Sequence, residues 1–305
     1  MNEKQTSSEQ IIKPTVFADV RLDTAFKRVF ATEDFKEATI GMLNSIIKDR
    51  KIKDVEFINT VIPGEPDKGR GAVVDVMCKD ADGSRFVVEM QRMEQKFFLQ
   101  RTVFYTSKIM SIYDLKKGDN TFEFPCTYMV SFLNFSVEQL AGIKMEPGQC
   151  CIHYVTVDPD SGRKLPSSPE YYFLDLTRAA KSLGDVLSEK EKWVYLLRET
   201  QNLKVVPDEL VGEPAFDAFF EGARYANFSE EEALAYQKDM FTQMDKILAE
   251  QYKYKKGKEE GREEGEAKGR EDSKLEIAKA MKAKGLDVSM IAECTGLTED
   301  QIKQL

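Results

Sequence analysis

The apolar positions along the chain change period more than once, and each change marks off a part. Residues 23–30 and 34–48 carry them at helical spacing, the second stretch at Ala38, Met42, Leu43, Ile46 and Ile47. Asp23 and Asp34 stand where N-caps are expected. β-branched runs follow at 55–62, 72–78 and 85–91, separated by a turn-rich loop (GEPDKGRG, 64–71) and a hairpin turn (DADGS, 80–84). Residues 95–117 read as a long amphipathic helix ended by Gly118. Three more strands are expected at 126–135, 150–157 and 170–176, the first nearly all apolar, as a buried strand would be. From Leu183 the pattern is helical, through 185–200, 214–225 and 229–253. An α/β (α+β) part therefore runs to about residue 180, followed by an α-helical region.

Residues 255–270 (KKGKEEGREEGEAKGR) repeat glycine every fourth position, at Gly257, Gly261, Gly265 and Gly269. In a helix these would form one slowly drifting stripe that lets a second helix approach. Each also costs about 1 kcal/mol of helix stability against Ala, which favours a solvated linker. Beyond it, 273–284 is amphipathic. Residues 288–305 place Ala292, Gly296 and the apolar Ile291, Leu297, Ile302 and Leu305 in helix-turn-helix order. Glu299 and Asp300 open its would-be recognition helix, where they oppose phosphate contact. Protein contact or a structural role is expected there ahead of base readout. The expected parts are a disordered 1–16, an α/β domain at 17–180, a helical region at 181–254, a linker or helix at 255–272 and a helix-turn-helix segment at 273–305.

Composition narrows the chemistry. The single histidine, His153, all but removes Ser-His-Asp and Cys-His catalysis and multi-histidine zinc sites, leaving carboxylates with or without a metal. Five cysteines without a CxxC pair suggest reduced thiols in a cytoplasmic protein. Neither a secretory signal nor a membrane-length apolar run is expected. The net charge of −9 argues against coating nucleic acid by bulk charge. It is uneven, however. Residues 1–125 hold 20 basic and 20 acidic side chains, 126–252 hold 12 and 21, and 253–305 hold 12 of each.

The candidate chemistry lies in the balanced part. Asp75 and Glu89 are seven residues to either side of Asp82 at the turn centre, so an antiparallel hairpin brings them face to face. Like charges so placed call for a cation between them, and hard oxygen ligands suit Mg²⁺ or Mn²⁺. Gln91 points to the same face as Glu89. Acidic residues on a solvent-facing strand would look similar. Asp23 and Lys27 share a helix face, as an ion pair or as site residues. Arg101, one turn before Tyr105, suits a phosphate or a structural salt bridge. Lys68, Arg70 and Lys96 are further cations on the side from which DNA would approach.

These residues carry a resemblance. The sequence resembles the PD-(D/E)XK nuclease superfamily, in particular its recombination-promoting nuclease (Rpn) and transposase branch. The likeness rests on D-x-A-F-K from Asp23 to Lys27, V-D-V from Val74 to Val76, V-E-M-Q from Val88 to Gln91 and R-x-x-x-Y-x-S from Arg101 to Ser107. Leu43-Asn44 and the glycine-rich tail add to it. It implies a restriction-endonuclease-like core, a central mixed sheet flanked by helices, and metal-dependent cleavage of DNA linked to recombination or mobile DNA. It gives Asp75, Glu89 and Asp23 as metal ligands and Asp75, Glu89, Gln91 and Lys27 as catalytic residues. Gln91 stands where the superfamily has lysine, a substitution usual in this branch. An amide can hold a water or a phosphate oxygen but cannot act as a base. Either water is activated without that helper, or Lys27 or Lys96 supplies the charge. The rival expectation is a non-catalytic, oligomeric DNA-associated or regulatory protein on a degenerate nuclease scaffold. Homo-oligomers through the C-terminal helices are expected with either.

Overall fold

The hairpin count is the first thing the structure tests. In the computed structural model, which describes residues 15–64, 71–113, 124–184 and 187–305, the turn at 80–84 joins two antiparallel strands. Asp80 holds that turn. Its Oδ1 accepts from the backbone N–H groups of Asp82 and Ser84, each at 3.1 Å. The strands are β1 (Glu56–Phe57), β2 (Val61–Ile62), β3 (Ala72–Val73), β4 (Val76–Lys79), β5 (Arg85–Gln91), β6 (Thr127–Leu133), β7 (Cys151–Tyr154) and β8 (Glu170–Asp175). Six of them form a mixed sheet in the order β1-β4-β5-β6-β8-β7, with β5, β6 and β8 mutually parallel; β2 and β3 pair separately. The runs at 55–62 and 72–78, each expected as one strand, are both broken. Their outer halves peel off as the β2–β3 pair, and Asp75 sits in the bend between β3 and β4.

The helices of the first compact unit, Met1–Asp239, cover both faces of the sheet. On one face lie α1 (Asp23–Phe30), α2 (Lys36–Ile46), α5 (Glu189–Glu199) and α6 (Pro214–Ala223). Alternation along the strands sends Val76, Cys78, Phe86, Val88, Met90, Val130 and Phe132 into this core with Phe30, Leu43, Trp193 and Phe219. The boundary expected near residue 180 thus falls inside a single core. Gly41 permits the α2–α6 contact, since a Cβ there would stand 2.2 Å from the Ala215 Cβ. On the other face, α3 (Phe98–Tyr113) packs through Ile109 on Met77, Val87 and Met129, and through Phe98 on Leu133 and Phe173. The short α4 (Val137–Ala141) follows β6. Neither aspartate expected as an N-cap caps a helix. Leu22 precedes α1 without a side-chain cap, and Asp34 lies within a 3₁₀ turn before α2.

α7 runs Glu230–Ala283 and includes the glycine repeat in helical form, with nothing within 4 Å of where Cβ atoms would stand at its four glycines. In the second unit, Met240–Leu305, α8 (Val288–Thr295) and α9 (Glu299–Gln304) close a small core on the end of α7. It consists of Ala278, Ile291, Leu297 and Ile302. Gly296 makes the turn at φ 70°, a left-handed conformation that β-carbons resist. Thr298 and Gln301 cap α9 reciprocally.

Candidate active site

The β4–β5 register, Val76 opposite Val88 and Met77 opposite Val87, continues one step to set Asp75 against Glu89. Because Asp75 stands in a bend, its carboxylate does not splay away from the sheet. Oδ2 accepts the Met90 N–H at 2.8 Å, and the Asp75 N–H donates to Glu89 Oε1 at 3.3 Å. Each acid thus engages the other's strand. The Gln91 amide donates to Glu89 Oε2 at 3.3 Å, so the three residues form one chain of contacts on the α3 side of the sheet.

This is an unfavourable place for two charges. Glu89 is only 2% exposed. Burial first, and then the Asp75 charge, push its carboxyl up to about 8, against smaller opposing effects of the Gln91 hydrogen bond and Arg101. Burial likewise raises Asp75. The Met90 N–H pulls the other way, the Asp23 charge adds to the rise, and Lys27 and Arg101 oppose it.

Two helices bring the cations. Lys27 on α1 is within electrostatic reach of Asp75 while its Nζ lies 2.9 Å from Asp23. Asp23 is exposed and paired in this way, and among the described residues no three His, Cys, Asp or Glu side chains gather as a metal cluster. The structure therefore brings Asp75, Glu89 and Gln91 together, with Asp23 outside their contacts. Arg101 on α3 acts on both acids and is steadied by Tyr105, whose hydroxyl accepts from its Nη2 at 3.0 Å. Lys96 lies over the Phe97 ring, 5.0 Å from its centroid. Lys68 and Arg70, like most of the expected N-terminal part and Gly118, lie outside the described residues.

One neighbouring group has no local signature in the sequence. Asp19 accepts from Arg21 Nε at 2.8 Å and Arg92 Nη1 at 2.9 Å, and its backbone N–H donates to the Tyr236 hydroxyl at 2.8 Å. Burial works against its charge, but the two arginines outweigh it and hold the carboxyl below the usual range. Arg92 directly follows Gln91, so the end of β5 is pinned at the edge of the acidic pair. The grip on α1 is similar. Asp239 of α7 accepts from the Thr24 N–H at 2.8 Å, and Glu232 pairs with Arg28. His153 is used elsewhere, 2.7 Å from Glu170 and stacked on Tyr172.

Two opposed carboxyl groups with an amide beside them form an oxygen-rich donor set. Mg²⁺ is commonly held by one or two carboxylates, with waters and substrate phosphate completing its shell. The residues present fit a hard divalent cation. The mixed sheet flanked by helices, with an acidic hairpin on one face, defines a restriction-endonuclease-like α/β protein. The chain belongs to the PD-(D/E)XK nuclease family transposases, whose model matches residues 20–253. Residues 271–305 match the C-terminal helix-turn-helix domain of the Rpn/YhgA-like nuclease family. No curated protein and no solved structure matches the chain. No helix among the described residues is long and apolar enough to cross a membrane.

Proposed function

We propose that the chain is a divalent-cation-dependent DNA endonuclease that hydrolyses phosphodiester bonds, acting in the cytoplasm on mobile or recombining DNA. The pairing of half-buried Asp75 with buried Glu89 carries this reading. Two acids facing each other in a sheet destabilise it unless a cation compensates them. When bound, Mg²⁺ or Mn²⁺ supplies Lewis-acid activation of water and of the phosphoryl oxygen. Asp75 and Glu89 hold the cation, and Asp23 shapes the field around Asp75. Gln91 orients a water or a phosphate oxygen through its amide. Lys27 and Arg101 offset the negative charge of the scissile phosphate and its neighbours. Lys68, Arg70 and Lys96 add contacts to the DNA backbone. The helix-turn-helix, whose last helix opens on Glu299 and Asp300, serves protein contact more readily than base readout. The tail supports self-association.

The test is nicking of supercoiled plasmid with Mg²⁺ or Mn²⁺. Wild-type protein should nick, and Asp75→Ala and Glu89→Ala should not, at unchanged helical circular dichroism. Equal nicking by all three would remove the site assignment. Gln91 in place of a basic residue favours the second reading, a non-catalytic DNA-associated or regulatory scaffold. Calorimetry separates the two, since the scaffold predicts no Mn²⁺ binding dependent on Asp75 and Glu89.

A further inference from the structure

Beside the acidic pair the sheet contains a polar group that the protein leaves unsatisfied. Ser131 lies in the middle of β6, fully buried, and its Oγ has no hydrogen-bond partner. The parallel registers set it between Glu89 on β5 and Phe173 on β8. Its same-face neighbours along β6 are Met129 and Leu133. Glu89 is therefore the one polar side chain among these four neighbours in the sheet. From α3, the buried Thr102 and Thr106 hydroxyls are already engaged, with the Leu99 carbonyl at 2.7 Å and the Tyr171 hydroxyl at 2.8 Å. A buried hydroxyl without a partner is destabilising, and alanine would fit the same space without that cost.

We infer that Ser131 is a positioning residue for Glu89: its hydroxyl donates to the Glu89 carboxylate when that carboxylate holds a divalent cation. This rests on the proposed cation site and adds to it a residue that the family motifs do not contain. A carboxylate ligand has more lone pairs than one cation uses, and a donor behind it fixes its orientation. In the cation-free protein the Glu89 oxygens are turned to the Asp75 N–H and the Gln91 amide, and Ser131 Oγ has no partner. Thr127 is an internal control. It is four residues earlier on the same face of β6, equally buried and equally unpartnered, but its ladder partner is Arg85.

The experiment measures Mn²⁺ affinity by titration calorimetry and the melting temperature in chelator, on the full chain, with no activity readout. Ser131→Ala should weaken Mn²⁺ binding by about tenfold, in line with the loss of a group that orients a ligand. Its melting temperature in chelator should be no lower than that of wild type. Thr127→Val should leave the affinity unchanged. In the Glu89→Gln background, Ser131→Ala should add no further loss. Wild-type affinity in Ser131→Ala, or an equal loss in Thr127→Val, overturns the inference while the cation site stands. A wild-type protein with no Mn²⁺ binding dependent on Asp75 and Glu89 overturns both.

Discussion

Glu89→Gln should make the cation-free protein more stable, increasingly so as pH rises. The variant keeps the shape and an acceptor for the Asp75 N–H, and the Gln91 amide can turn to accept instead of donate. Moving a carboxyl from 4.5 to about 8 is worth up to about 5 kcal/mol, at 1.36 kcal/mol per pH unit. The sign follows from proton counting. Between those pH values the folded protein holds a proton that the unfolded chain has released, so stability falls as pH rises through the window. Below pH 4.5 the group contributes no difference, and above about 8 the whole penalty is present. Because Asp75 shares the titration, about 3 kcal/mol at pH 8 is the expected size. For a unit of this size that is roughly 6–12 °C in melting temperature. Thermal and urea unfolding in EDTA at pH 5, 6.5 and 8 read it directly. Saturating Mg²⁺ should close or reverse the gap, since only wild type presents both carboxylates. A gap that does not widen with pH, or a variant less stable than wild type at pH 8, would refute the reasoning.

Three other perturbations probe the surroundings. Asp19→Ala leaves the Arg21 and Arg92 guanidiniums facing each other without their carboxylate, so urea unfolding should show a loss of about 3–5 kcal/mol. A loss below about 1 kcal/mol would mean that the network is screened like a surface pair. Lys27→Met should cut plasmid nicking about 100-fold while changing stability by under about 1 kcal/mol, because its pairing with Asp23 is exposed; unchanged nicking would remove Lys27 from the site. Truncation near Lys253 should lower the mass measured by light scattering, whereas the same oligomer with and without the tail would place self-association elsewhere.

The juxtaposition of the two acids was legible because a hairpin is local. Counting outwards from Asp82 paired Asp75 with Glu89 without knowledge of the rest of the fold, and the β4–β5 register agrees. The helix-turn-helix was legible for the same reason, with Ala292 and Gly296 at fixed spacing. What periodicity could not show was the bend at Asp75. The string VVDVMC reads as a continuous strand, and only the departure of β3 to pair with β2 breaks it. The separate helical region was also misleading. Trp193 and Phe219 look like the core of a bundle, and nothing in their spacing says that the other half of that core is a sheet. Asp19 escaped notice because a nearby Arg21 alone reads as a surface pair, and the partners that bury it are distant: Arg92 lies 73 residues away and Tyr236 lies 217. Ser131 gave no signal, since one serine in an apolar strand differs from its neighbours only once the register is known.

The turn at 80–84 sets a measure that outlasts its composition. Asp75 and Glu89 are fourteen residues apart. Arg50 braces the turn from outside through Ser84 Oγ, Asp80 and Asp82. Residues within the turn can be exchanged for others that bend the chain equally well. One added or removed residue is different, because a single-step slip would turn every β4 side chain to the opposite face. Asp75 would then point towards the Trp193 core, and its charge would have no counterpart. Among descendants of this sequence the turn should therefore drift in composition while its length stays fixed. A change in that length, even with every acidic residue retained, should mark a chain that has given up the site.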